Sequence, residues 1–180
     1  MNARDVVDFW FSDAVRKRWW RKNPEFDREI RERFMDTYRQ AVAGELSAWR
    51  ETPLGRLAEI IVLDQFSRNM FRDQPEAFEY DHLARQATRE AVAEKADRHL
   101  ETAQKSFLYM PLMHSESLAD HELAVQLFSS DPELSGSLEF EYKHKAIIER
   151  FGRYPHRNEV LGRESTEEEI IFLQQPGSSF

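Results

Sequence analysis

The chain has 180 residues, 41% of them hydrophobic, a formal charge of −8 and no cysteine. That length supports one core, the missing thiols exclude disulfides and thiolate metal sites, and the acidic balance argues against general coating of nucleic acid. The charge is unevenly spread: residues 1–50 hold 11 Lys+Arg against 9 Asp+Glu, and the remainder holds 14 against 24, so the N-terminal third is the basic end. The longest aliphatic run, Ile60 to Leu63, falls far short of the roughly 20 apolar residues that span a bilayer. Asp5 and Asp8 interrupt the apolar stretch that a signal peptide needs. The expectation is one soluble, cytoplasmic domain over residues 1–180, with neither a membrane nor nucleic acid as partner.

The segment Arg16 to Lys22 sets five basic residues around Trp19 and Trp20. Both indoles are expected to pack on the core with Phe9, Trp10 and Phe11 while the charged heads reach into water. Phe26, Ile30, Phe34, Tyr38 and Val42 then descend one face of a helix at steps of four, and Gly44 marks its end. Thr52 and Pro53 suit an N-cap and first helical position, opening a helix that runs to about Arg68. Its centre, Ala58 to Phe66, is apolar apart from Glu59, Asp64 and Gln65, which predicts the most buried element. Asp64 and Arg68 are spaced to pair, Asn69 suits a left-handed helix end, and Gln65 and Arg72 are left to face a ligand.

Beyond the break at Asp73-Gln-Pro75, a long helix is expected over Glu76 to about Glu94, with Ala84, Ala87 and Ala91 on its inner face. Further helices are expected over about Ala103–Met113, Leu118–Phe128, Leu138–Phe151 and Thr166–Leu173, the last opened by a capping box of Ser165 and Glu168. No window alternates with period two, so the class is all-α with antiparallel helices and polar joints.

Several constellations bear on chemistry. Glu79/His82 and Glu141/His144 have the Glu-x-x-His spacing of carboxylate-bridged di-iron bundles, with Glu59 and either Glu116 or Glu122 as candidates to complete such a site. In a chain this rich in glutamate, solvated pairs on exposed faces are the simpler expectation, and no metal site is assigned. The stretch His114 to Glu122 gathers two histidines and acids, but one straight helix would hold His114 and His121 roughly 10 Å apart. Ser115 or Ser117 capping the following helix explains it without a metal. Arg153, His156, Arg157, Asn158 and Arg163 crowd a joint whose donors suit either tied-off helix ends or an anion site.

These segments in order, Val7-Asp-Phe-Trp-Phe11, Phe26-Asp-Arg-Glu-Ile30, Leu63 to Asn69, Phe107 to Glu116, Phe151 to Asn158, Leu161 to Thr166 and Pro176 to Phe180, resemble the bacterial family known as domain of unknown function 924. The likeness is nearly full length. Ser67 stands where the family usually has proline. The resemblance implies an irregular tetratricopeptide-like α-α array and a closing segment, Gly177 to Phe180, that docks back on the body; it implies no reaction or cofactor. His114, Glu116, His144 and His156 match the family pattern, whereas His82 does not. The expected function is binding of a small anionic ligand or peptide by Arg68, Asn69, His114, Glu116, Arg153, His156, Arg157 and Asn158. The alternatives are a hydrolase or lyase-like enzyme, metal-assisted or not, using His114, Glu116 and His156, and a structural or protein-interaction scaffold.

Overall fold

Ten α-helices joined by short 3-10 turns make up the computed structural model, which describes all 180 residues: α1 (Ala3–Trp10), α2 (Asp13–Arg16), α3 (Pro24–Val42), α4 (Pro53–Ile60), α5 (Ser67–Met70), α6 (Asp81–Ala93), α7 (Thr102–Met113), α8 (Leu118–Ser129), α9 (Ser135–Phe151) and α10 (Glu167–Leu173). There is no strand, and no helix is long and apolar enough to cross a membrane. The contacts divide the chain into two units. One comprises Met1–Arg72 with Glu76–Pro111, the other Asp73–Pro75 with Leu112–Phe180.

The first unit is built on aromatic packing. Phe9, Phe34 and Phe66 form a triangle of mutual ring contacts, with Phe34 at 4.9 Å from Phe9 and 4.5 Å from Phe66, and the Trp10 ring stands edge-on to Phe66 at 5.6 Å. Every residue from Leu57 to Ser67 is buried, as the apolar run requires. The helix there is not regular: residues Ile61–Phe66 widen into a π-helical turn between α4 and α5. Its polar members are paired inside the unit. Glu59, only 1% exposed, receives both guanidinium arms of Arg50 at 2.8 Å. Thr52 caps α4 through its side chain, accepting from the Gly55 N–H.

Gly55 has a steric reason for being glycine, since a Cβ there would lie 1.9 Å from the Trp49 carbonyl oxygen. Gly55→Ala is expected to cost about 1–3 kcal/mol by overpacking. Urea denaturation reads this directly; an unchanged midpoint would mean that the Trp49 turn moves aside freely.

Several sequence expectations shift. A 3-10 turn covers Pro75–Ala77, residues 78–80 form a further turn, and α6 begins at Asp81, whose carboxylate is gripped by both arms of Arg68 at 2.9 Å. Asn69 stays helical, and Asp73 takes the left-handed conformation instead, at φ 62°. The box opening α10 pairs Thr166 with Glu169, one residue later than Ser165 and Glu168. Trp19 packs as expected, donating its indole N–H to the Trp10 carbonyl at 3.0 Å, but Trp20 is 70% exposed, stacked nearly parallel to the Phe107 ring.

The second unit is centred on α8 packed against α9. Gly152, at φ 70°, ends α9 and sends the chain into the joint that carries Arg153 to Asn158.

Candidate functional site

Glu116 is the hub of the joint in the second unit. Its two carboxylate oxygens accept from Arg163 at 2.8 and 3.0 Å, and Oε2 also accepts from the Tyr154 backbone N–H at 2.6 Å. Burial pushes this carboxyl up, but the Arg163 and Tyr154 hydrogen bonds outweigh it and hold the group below the usual glutamate range. Arg163 further donates to the Asn158 side-chain oxygen and to the Tyr154 carbonyl.

A second knot ties the joint to α10. Arg153 makes a two-armed pair with the buried Glu169 at 2.9 Å, and Asn158 donates to Glu169 at 2.8 Å and to Ser165 at 3.1 Å. The Arg153 hydrogen bond leads the causes that lower the Glu169 carboxyl. Glu116, Arg153, Asn158 and Arg163 are thereby committed to one another and to backbone groups, which is how a helix-rich joint satisfies its orphaned termini.

Tyr154 is fully buried at the centre. Its hydroxyl donates to the Met113 carbonyl at 2.5 Å. The Arg157 guanidinium, on a residue 5% exposed, lies 4.7 Å above its ring and donates to the His114 carbonyl at 2.8 Å. The rings of His121, His144 and His156 approach Tyr154 at 6.2, 6.0 and 5.6 Å. The structure therefore brings His114, Glu116, Tyr154, His156 and Arg157 together, while Arg153 and Asn158 tie the same joint to Glu169 of α10.

His121 was set aside in the sequence because of its distance from His114, yet it is the most enclosed titratable group here. Its Nδ1 lies 2.6 Å from Glu141 Oε1 and its Nε2 lies 2.7 Å from the Ser115 carbonyl. A carbonyl only accepts, so Nε2 carries a proton, and a second proton is shared on the Glu141 side. Burial raises the Glu141 carboxyl above its ordinary value despite the His121 contact, and its Oε2 has no hydrogen-bond partner. His144 donates from Nδ1 to the Phe140 carbonyl at 2.7 Å, and burial drives its pKa down to about 3, so it is a neutral ring. Ser115 rather than Ser117 organises the start of α8: its hydroxyl accepts from the Ser117 N–H and donates to Asp120.

Arg68 and Asn69 belong to the first unit. Arg68 holds Asp81 and pairs with Asp64 at 3.3 Å, as its spacing predicts, and Asn69 donates to Asp27 at 2.8 Å. Gln65 and Arg72, expected to face a ligand, are instead engaged within this unit. Gln65 donates to Asp64 and meets the Met110 sulfur, and Arg72 makes a two-armed pair with Asp27. The two Glu-x-x-His pairs do not build a metal centre. Glu79 and His82 are exposed, Glu141 turns to His121, Glu59 is taken by Arg50, and no three His, Asp or Glu side chains gather with ligand geometry.

No curated protein matches the chain significantly. A solved structure of a protein of unknown function from Agrobacterium tumefaciens superposes with a TM-score of 0.90 at 37% identity, over 96% of this chain and 96% of that one. Residues 6–177 match the family model described as bacterial protein of unknown function, DUF924. With nearly the whole chain covered and the ordered motifs in place, the protein belongs to this family.

Proposed function

We propose that the protein binds a small anionic ligand or a peptide carboxylate on the second unit, at His114, His156 and Arg157. The observation that supports this is a gathering of donors around Tyr154: the Arg157 guanidinium lies over that ring and donates to the His114 carbonyl, and three imidazoles approach the same ring. Glu116 is held by Arg163, Glu141 by His121, and Asp120 accepts from Ser115. His114 and His156 are half-buried, within reach of solvent. In this reading Glu116, Arg153 and Asn158 form the frame that aims the joint, and Arg68 and Asn69 do the equivalent for the first unit.

The engagement of Glu116 favours binding over catalysis. A general base needs an orienting partner, and three of the roughly four acceptor positions of the Glu116 carboxylate are taken by Arg163 and the Tyr154 N–H. An irregular tetratricopeptide-like stacking of the helices suits the same role by presenting a joint between helix ends.

The reading is tested by titrating the protein with inorganic phosphate and with acetate at low ionic strength, following histidine imidazole resonances. Saturable shifts of His114 and His156 are expected, with His156→Ala weakening the binding roughly tenfold, the scale of one lost charge-assisted hydrogen bond. Shifts that do not saturate, or that persist unchanged in His156→Ala, rule the site out.

A further inference from the structure

The ring of Phe180 lies among three others. Its centroid is 3.8 Å from that of His144, tilted by 49°, and it meets His156 at 4.7 Å and Tyr154 at 5.4 Å, both nearly edge-on. Yet Phe180 remains 57% exposed, so the three rings form an open slot rather than a closed core. The segment that brings it there is anchored at Ser178, which is buried. Gly177, at φ 78°, turns the chain back after α10, and the Ser178 hydroxyl donates to the Leu173 carbonyl at 3.2 Å.

We infer that this slot, formed by His144, Tyr154 and His156, receives the ring of an aromatic carboxylate, and that Phe180 occupies it as the chain's own exchangeable stand-in. The inference rests on the binding reading above and narrows its ligand class. The ring preference follows from the walls. Edge-to-face and tilted contacts at these distances are the arrangements aromatic pairs favour, and His144 is neutral, so the slot selects a flat apolar ring rather than a cation. The carboxylate preference follows from Arg157, whose guanidinium lies 4.7 Å over the ring of the same Tyr154 and donates to the His114 carbonyl. A benzoate-like acid or a phenylalanine-type carboxylate satisfies both.

Self-occupancy has a measurable consequence, because an internal occupant lowers the apparent affinity of an external one by the fraction of time the slot is filled. N-acetyl-phenylalanine is the probe, with its amide as the uncharged control and inorganic phosphate as the ringless one, titrated calorimetrically into the full chain and into Phe180→Ala. The acid is expected to bind Phe180→Ala about tenfold more tightly than the unchanged chain, and the amide more weakly than the acid in both. His156→Ala in the Phe180→Ala background should reduce the acid's affinity again. Because Phe180 is largely exposed, Phe180→Ala should shift the melting temperature by only about two degrees.

Equal affinity in both chains, or equal binding of acid and amide, overturns the inference. A collapse of melting temperature in Phe180→Ala does the same by making the ring structural filler. Phosphate binding without N-acetyl-phenylalanine binding removes this inference and leaves the anion site standing; binding of neither removes both.

Discussion

His121→Ala is expected to destabilise the second unit by about 3–5 kcal/mol, the largest single effect in the molecule. The cost does not lie in the lost hydrogen bond, which is worth about 1–3 kcal/mol even when charge-assisted. It lies in what remains: Glu141 is fully buried, its Oε2 already lacks a partner, and without His121 its Oε1 lacks one too. The Ser115 carbonyl, which accepts from His121 Nε2, is stranded at the same time. Removing both partners is a different perturbation. His121→Leu with Glu141→Leu leaves no buried charge, so the double variant should be more stable than His121→Ala, despite changing two core positions. Chemical denaturation of His121→Leu, Glu141→Leu and the double variant that combines them decides the matter. If the single losses simply add, the residues are independent packers and the buried pair has no coupling energy.

This pair also shows why the site was only partly legible in the sequence. Glu116, His156 and Arg157 stand out because polar residues cluster in two short joints, and such clusters need partners whatever the fold; His144 stands out by its i, i+3 spacing from Glu141. His121 lies in the first of these clusters, but its partner does not. It sits one turn into α8, and its partner Glu141 lies 20 residues away on α9, so only the packing of the two helices joins them. The i, i+3 spacing pairs Glu141 with His144, while in the fold Glu141 turns to His121 and His144 to the Phe140 carbonyl. The helices were legible for a simpler reason: a period of 3.6 persists through Phe26 to Val42 and again through α9, and Gly44 and Gly152 end both with left-handed residues. The π-helical turn at Ile61–Phe66 left no trace, since every residue there is buried whichever way the backbone winds. The late start of α6 was hidden similarly. Arg68 anchors Asp81 from another helix, a tertiary contact that local propensity over Glu76 to Tyr80 does not encode.

His144→Leu is expected to stabilise the protein in acid relative to its effect at neutral pH. His144 has a folded pKa of about 3 against an ordinary value of 6.5, so between these limits the unfolded chain holds a proton that the folded chain excludes. Stability therefore falls as pH drops below 6.5 and continues to fall toward 3, with no contribution from this group above 6.5. The slope is about 1.4 kcal/mol per pH unit for one proton. Glu141 acts in the opposite sense. Its raised pKa means the folded state keeps a proton that the unfolded chain releases above about 4.5, so its share of stability declines as pH rises through that window. Glu116 and Glu169 are lowered, and their contributions are lost as pH falls below 4.5. The wild-type profile is thus a difference of opposed slopes, and the variant isolates one of them. Between pH 7 and pH 5 the free-energy gap between His144→Leu and wild type should move by about 2 kcal/mol in favour of the variant. A gap that stays constant over that interval would mean that His144 takes up its proton in the folded state, and that the slot it lines with Tyr154 and His156 is wet.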